Sequence, residues 1–239
     1  MQLTILVPSH KEGGLVRDTY EVIKRELDLA GIVDYEIILS NCFHEGDDTA
    51  MYAKEVAERD SHVVYRQRST CWNLGKHYRA GIQEARGEYF MFVPGDNETI
   101  DRALANIFGQ IGKVDVVITY TENPWVRPPA RRATSYVFQN TCNVLFGLRL
   151  KYFNGINLYR TKLLRRVPLK TESFAYSAEI LVRLLSSHEG VTYVEVAMPI
   201  HPPERRSAAF RLKNVWGVIS AITKLFWDIR IKKQELLPE

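Results

Sequence analysis

Short runs of β-branched and aromatic residues alternate, along the first half of the chain, with longer stretches in which apolar and charged residues recur at helical spacing. The runs LTILVP, YEIILS, HVVYR, EYFMFV and VDVVIT predict strands. The stretches LVRDTYEVIKRELDLAG, DDTAMYAKEVAERD and NLGKHYRAGIQEARG predict the helices between them, with Gly31 and Gly87 at C-cap positions. This alternation is that of an open α/β sheet, mostly parallel, with crossover helices on its faces. After Thr119 the rhythm changes. A loop rich in Pro and Arg (TENPWVRPPARR) leads into a helix from about Ala133 to Gly147. The segment from Phe153 to Lys162 is expected to re-enter the sheet, followed by a helix near Phe174 to Ser187 and the strand VTYVEV.

No repeat, low-complexity tract or flexible linker divides the chain. It reads as one domain over residues 1–212 and a C-terminal amphipathic helix and tail over 213–239. In that last helix Val215, Val218, Ile219, Ile222, Leu225, Phe226 and Ile229 share one face, with Lys213, Lys224, Arg230, Lys232 and Lys233 around it and Trp216 and Trp227 nearby. Three surfaces suit such a stripe: the protein's own body, a second subunit in a homodimer, and a membrane interface carrying anionic lipid.

Composition narrows the class. With 239 residues and 46% apolar content the chain can bury one substantial core. A net charge of +4 without a concentrated basic stripe argues against nucleic acid as a partner. Cys42, Cys71 and Cys142 are widely spaced and odd in number, which points to a reducing compartment. The apolar lead at the N-terminus is too short for a signal peptide, and no run approaches the ~20 apolar residues of a spanning helix. The expectation is a cytoplasmic protein, either soluble or peripheral at the inner membrane face.

Ligands of open α/β sheets bind beyond the C-terminal ends of the strands. The segments to inspect are therefore Pro8 to Glu12, Ser40 to Thr49, Arg66 to Lys76 and Pro94 to Glu98. The strongest local signal is GEYFMFVPGDNE, where a buried-looking strand runs into a turn carrying Asp96 and Glu98. Two carboxylates at i and i+2 behind a glycine can aim oxygens at one hard cation; a solvated turn has the same composition.

In order and spacing, ILVPSHKE and NLGKHYRAGIQEARGEYFMFVPGDNE resemble the opening loop and the metal-motif region of the family 2 glycosyltransferases, which have a GT-A fold. The later segments RRATSYVFQNTCNVLFGLRLKYFNGINLYRTKLL, ESFAYSAEILVRLL and HPPERRSAAFRLKN are similar to those of the polyprenyl-phosphate sugar transferases within that family. The departures are specific. Pro94 stands where the family's metal motif has its first acid, Ser40-Asn41-Cys42 replaces an acidic loop, and His10 and Lys11 replace an aromatic and an Asn.

The resemblance implies an inverting transfer of a sugar from a nucleoside-diphosphate-sugar, UDP or GDP undecided, to an acceptor, with a polyprenyl phosphate foremost. It implies Mg²⁺ or Mn²⁺ at Asp96 and Glu98. Pro8, Ser9, His10, Glu12, Asn41, Asn73, Lys76 and Asp96 then fall on the donor, and Arg131, Arg132, Arg205 and Arg211 on phosphate or acceptor. The catalytic set so implied is Asp96, Glu179 and Arg205. A phosphate acceptor needs no general base. A hydroxyl acceptor does, and Glu179 is the candidate, although its i,i+4 spacing to Arg183 equally suits a structural ion pair. His77 and His188 read as surface or boundary histidines. The alternatives are a family member acting on a soluble hydroxyl acceptor, a nucleotidyltransferase, and a nucleotide-sugar-binding protein without activity.

Overall fold

The computed structural model describes all residues except 69–71, 100, 172–174, 188–189, 202–211 and 239, and the side chains of 212–215. Five strands follow one another with intervening helices: β1 (Leu3–Ser9), α1 (Leu15–Leu29), β2 (Tyr35–Cys42), α2 (Thr49–Arg59), β3 (Val63–Arg68), α3 (Leu74–Glu84), β4 (Tyr89–Phe92), α4 (Asp101–Phe108) and β5 (Val116–Thr121). Then come α5 (Pro129–Phe146), β6 (Leu158–Arg160), α6 (Thr161–Arg165), α7 (Tyr176–Leu185), β7 (Tyr193–Met198) and α8 (Leu212–Phe226).

The strands form one sheet in the order β3-β2-β1-β4-β6-β5-β7. All pairings are parallel except those of β6, which runs antiparallel to both β4 and β5. Strands β1, β2 and β4 are buried along their whole length, as expected of central strands covered on both faces. One apolar layer packs Leu6, Phe90 and Ile118 with residues of α3, α5, α7 and α8. The other packs Ile5, Ile37, Met91 and Val117 with residues of α1, α2 and α4.

Three expectations change. Gly87 does not cap a helix: α3 ends at Glu84 with Ala85 already extended. A Cβ on Gly87 would meet the backbone of Leu3 and Thr4 at 2.5 Å, so its absence lets the chain press against β1. Helix α5 begins at Pro129, several residues early, because proline with its fixed φ suits the first helical position. Helix α4 was not expected at all. It is eight residues long, and tertiary burial of Ala103, Leu104, Ile107 and Phe108 holds it.

The C-terminal stripe is divided rather than uniform. Ile222 and Leu225 are buried in the core, and Val218, Phe226 and Ile229 pack against it, whereas Trp216, Ile219 and Trp227 are exposed. Apolar burial thus takes much of the face whose spacing suggested an external partner. No helix among the described residues is long and apolar enough to cross a membrane.

Candidate functional site

The C-terminal ends of β1 and β4 open into a cleft of about 930 Å³. It is floored by Pro8, Ser9, Gly95 and Asp96, bordered by Trp72 and His77, and walled on the far side by Arg127, Arg131, Tyr152 and Tyr176. From there it continues between α5 and α8, where Val137, Phe138, Leu145, Val218, Ile219 and Ile222 line it.

The turn after β4 is fitted against β1. Gly95 N donates to Pro8 O at 3.1 Å, and a Cβ at Gly95 would meet Ser9 Cβ at 3.0 Å. Asn97 takes a left-handed φ of 56° and donates from its N–H to Thr19 Oγ1 at 3.0 Å. Glu98 N donates to Asp96 Oδ1 at 3.1 Å, which fixes that carboxylate at the cleft. Asp96 lines the cleft, and Glu98 is exposed beside it. Among the described residues no group of three or more His, Cys, Asp or Glu side chains is placed to hold a metal ion. Hard oxygens from two carboxylates suit Mg²⁺ or Mn²⁺, which commonly keep water and substrate phosphate as remaining ligands.

The loop after β1 is pinned by its neighbour after β2. Glu12 N and Gly13 N both donate to Thr49 Oγ1, at 3.0 and 2.8 Å, and Lys11 N donates to Asp47 Oδ2 at 3.3 Å. Burial pushes the Asp47 carboxyl up, but hydrogen bonds from Thr49 and from the Lys11 N–H leave it below its ordinary value. Pro8, Ser9, His10 and Glu12 all line the cleft. Ser9 and Asn41 face each other in register across β1 and β2; both are buried, and among the described residues Ser9 Oγ and Asn41 Oδ1 lack a hydrogen-bond partner. Buried polar atoms are seldom left so.

Beyond β2 a polar chain joins strand to helix. Arg68 Nε donates to Ser40 Oγ at 3.0 Å, Ser40 Oγ lies 2.9 Å from His77 Nδ1, and His77 Nε2 lies 3.3 Å from Cys42 Sγ. His77, expected at a boundary, is 3% exposed. Burial first, then the charges of Arg68 and His10, pull its pKa down to about 4, so the ring is neutral. Sequence spacing contained a signal for this cluster: Ser40 and Cys42 are two apart on a strand, hence on one face, and His77 lies one turn into the facing helix. Asn73 caps that helix, its side chain accepting from Lys76 N at 3.0 Å. Asn73 and Lys76 are both exposed and do not line the cleft.

On the opposite wall, Arg127 Nη1 donates to Tyr152 Oη at 3.1 Å, while its buried Nε has no partner among the described residues. Arg127 was missed by sequence reasoning because it lies in what reads as a plain Pro-rich loop. Burial, then the adjacent Arg127 charge, lower the Arg131 pKa, with Tyr152 and Glu98 acting the other way. Two guanidiniums crowded at one wall make an anion-attracting surface. Arg131 lines the cleft, whereas Arg132 is exposed outside it. Arg205 and Arg211 lie outside the described residues.

Glu179 requires a correction. It is 4% exposed and absent from the cleft wall. Its carboxylate accepts from Arg183 Nε at 3.0 Å and from the N–H groups of Lys170 and Thr171 at 3.2 and 2.8 Å. The i,i+4 pair is structural because burial demands that each charge be matched, and a carboxylate so engaged is not placed to take a proton from an acceptor.

Residues 4–178, most of the chain, match the model of "Glycosyl transferase family 2". The chain belongs to glycosyl transferase family 2. It is accordingly a glycosyltransferase. No curated protein sequence matches it. Among solved structures, glucosyl-3-phosphoglycerate synthase from Mycobacterium tuberculosis in complex with Mg²⁺ and UDP superposes with a TM-score of 0.71 at 12% identity, covering 100% of this chain and 80% of that one. The same enzyme with Mn²⁺, UDP-glucose and phosphoglyceric acid gives 0.69 at 14% identity, covering 100% and 81%. A structure described as a mycobacterial protein gives 0.71 at 18% identity, covering 100% and 76%. At these identities the likeness is one of fold, and the fold is that of a GT-A transferase.

Proposed function

We propose that this family 2 transferase is inverting, takes its sugar from a nucleoside-diphosphate-sugar, and delivers it to the phosphate of a polyprenyl-type lipid. The observation that carries this reading is the shape of the cleft. It leads from Asp96 past Arg127 and Arg131 into an apolar groove between α5 and α8, a match for an acceptor with an anionic head and a hydrocarbon tail.

On this reading Asp96 and Glu98 hold Mg²⁺ or Mn²⁺, and the ion supplies charge neutralisation for the departing diphosphate. Arg127 and Arg131 hold the acceptor phosphate, Arg127 being kept in place by Tyr152. The phosphate oxygen is already anionic at neutral pH and attacks without a base, which agrees with Glu179 being withheld from the cleft. Among the described residues of the cleft no side chain is arranged as a nucleophile with an activating base, so a single in-line displacement with inversion is the expected course. Fold relatives solved with UDP and UDP-glucose favour a uridine donor. Approach to a bilayer suits the charge distribution. No Asp or Glu occurs between Glu122 and Glu172, nor between Glu204 and Asp228, the stretches that contain α5 and α8. Exposed Tyr136, Val137 and Val144 on α5 and Trp216 and Trp227 at α8 complete an apolar and basic surface.

Transfer to a hydroxyl of a soluble small-molecule acceptor is the second reading, favoured by the phosphoglyceric acid bound in a fold relative. The deciding experiment incubates the full chain and Mn²⁺ with labelled UDP- and GDP-sugars, offering undecaprenyl phosphate in detergent in one arm and 3-phosphoglycerate in the other. Label in the organic phase, with inverted anomeric configuration by NMR, is expected. Label confined to the aqueous product overturns the lipid reading, and retained configuration overturns the displacement.

A further inference from the structure

Resting on the donor assignment above, we propose that Trp72 is the stacking plate for the donor's nucleobase. The strand order sets the coarse geography. Asp96 follows β4 near the centre of the sheet, α5 and Tyr152 lie toward the β6 and β5 side, and Trp72 sits between β3 and α3 on the other side. A donor whose diphosphate lies at Asp96 and whose sugar faces the acceptor wall must therefore place its base toward Trp72.

The surroundings of Trp72 are organised to hold its ring still. Its backbone N–H donates to Cys42 Sγ at 2.9 Å. The Arg68 guanidinium carbon lies 4.7 Å from the indole centroid, and the His77 ring meets it edge-on at 5.6 Å. Arg68 is itself held by Glu84 Oε1 at 2.9 Å and by Ser40 Oγ. A guanidinium only donates, so Ser40 Oγ accepts from Arg68 and keeps its own hydrogen and a second lone pair for His77 Nδ1. On the other side of the ring His77 Nε2 meets Cys42 Sγ at 3.3 Å.

Arg68, Ser40, His77 and Cys42 are thus engaged with one another, and the aromatic side chain they support, Trp72, lines the cleft. Tryptophan presents a large rigid face at little entropic cost, and base stacking on such a face is tolerant of base identity. Trp72 accordingly contributes affinity for any nucleotide. Discrimination between bases falls to polar atoms such as Ser9 Oγ on the cleft floor, which has no hydrogen-bond partner among the described residues.

The test is calorimetric titration of the full chain with UDP, GDP and inorganic pyrophosphate, each with Mn²⁺, for the wild type, Trp72→Phe and Trp72→Leu. Trp72→Leu is expected to weaken UDP and GDP alike by about 10- to 100-fold, the range a stacked base commands. Trp72→Phe should remain within a few-fold of wild type, and pyrophosphate should bind all three equally. Undiminished UDP binding by Trp72→Leu overturns the proposal, as does a parallel loss of pyrophosphate, which would mark a general disturbance of the cleft. A wild type that binds pyrophosphate but no nucleotide also sinks it. If the wild type binds none of the three, the donor assignment itself falls.

Discussion

Arg183 Nη2 donates to Asp228 Oδ2 at 3.1 Å, joining α7 to the turn that follows α8 through two buried, opposite charges. Glu179 completes the pair on one side, and Lys170 Nζ reaches Asp228 Oδ2 at 2.6 Å on the other. Hydrogen bonds from Lys170 and Arg183 hold the Asp228 carboxyl below its ordinary value against the effect of burial. Removing one member leaves an uncompensated charge inside the protein, which typically costs about 3–5 kcal/mol. Arg183→Ala is therefore expected to lower the urea midpoint of unfolding steeply. Glu179→Gln, keeping shape and some hydrogen bonds, should lose less stability and keep turnover per folded molecule within a few-fold. A selective collapse of turnover in Glu179→Gln with an unchanged melting temperature would return Glu179 to the chemistry.

Asp96→Asn and Glu98→Gln should each abolish or strongly weaken Mn²⁺-dependent donor binding and leave the thermal midpoint within a few degrees. Both side chains stand on a turn at the edge of the core, so little packing depends on them. Titration of UDP-sugar with and without Mn²⁺ checks this, and undiminished Mn²⁺-dependent binding in both variants refutes the ligand assignment.

His77 gives the protein an acid-sensitive element. Its folded pKa of about 4 lies below the ordinary value near 6.5, so the unfolded chain binds the proton first. Stability is accordingly unaffected by this residue above about pH 6.5, falls as pH drops through that window, and levels off below about pH 4. Denaturation curves from pH 7.5 to 4 should show a smaller slope for His77→Gln than for the wild type. Equal slopes would show that the buried ring is not the titrating group.

Gly155→Ala should be among the most damaging small substitutions. An added Cβ would fall 2.0 Å from Thr119 Oγ1 and 2.7 Å from Thr119 O, with β5 held on that side by the Asn157 side chain accepting from Thr119 N at 2.9 Å. Overpacking of this kind commonly costs about 1–3 kcal/mol, and here the obstacle includes backbone. Because Tyr152 and Phe153 line the cleft just before this contact, donor or acceptor affinity should fall along with the melting temperature.

The sheet was legible in sequence where local and tertiary forces agree. LTILVP, YEIILS and EYFMFV are apolar almost throughout because both faces are covered, and their turns mark the strand ends at which Asp96, Ser9 and Trp72 converge. What sequence could not show was what each polar group meets across the fold. His77 looked peripheral because the spacing that puts Ser40 and Cys42 on one strand face does not say which helix covers that face, and Glu179 looked available because Asp228 is far away in the chain. Gly87 illustrates the same limit: a glycine after a helix reads as a cap, and only the approach of β1 reveals why a side chain is excluded there.

The strand order leaves β3, among the described residues, as an outer strand of the sheet. Exposed strand edges invite pairing with other chains, and proteins guard them with charge. Here Arg66 and Arg68 both reach across to Glu84 on α3, so the guarding side chains are themselves anchored. A stray strand that added to this edge would have to displace or desolvate them. Arg66, the more exposed of the two, is therefore expected to discourage pairing at this edge as well, and Arg66→Ala should show increased light scattering during refolding.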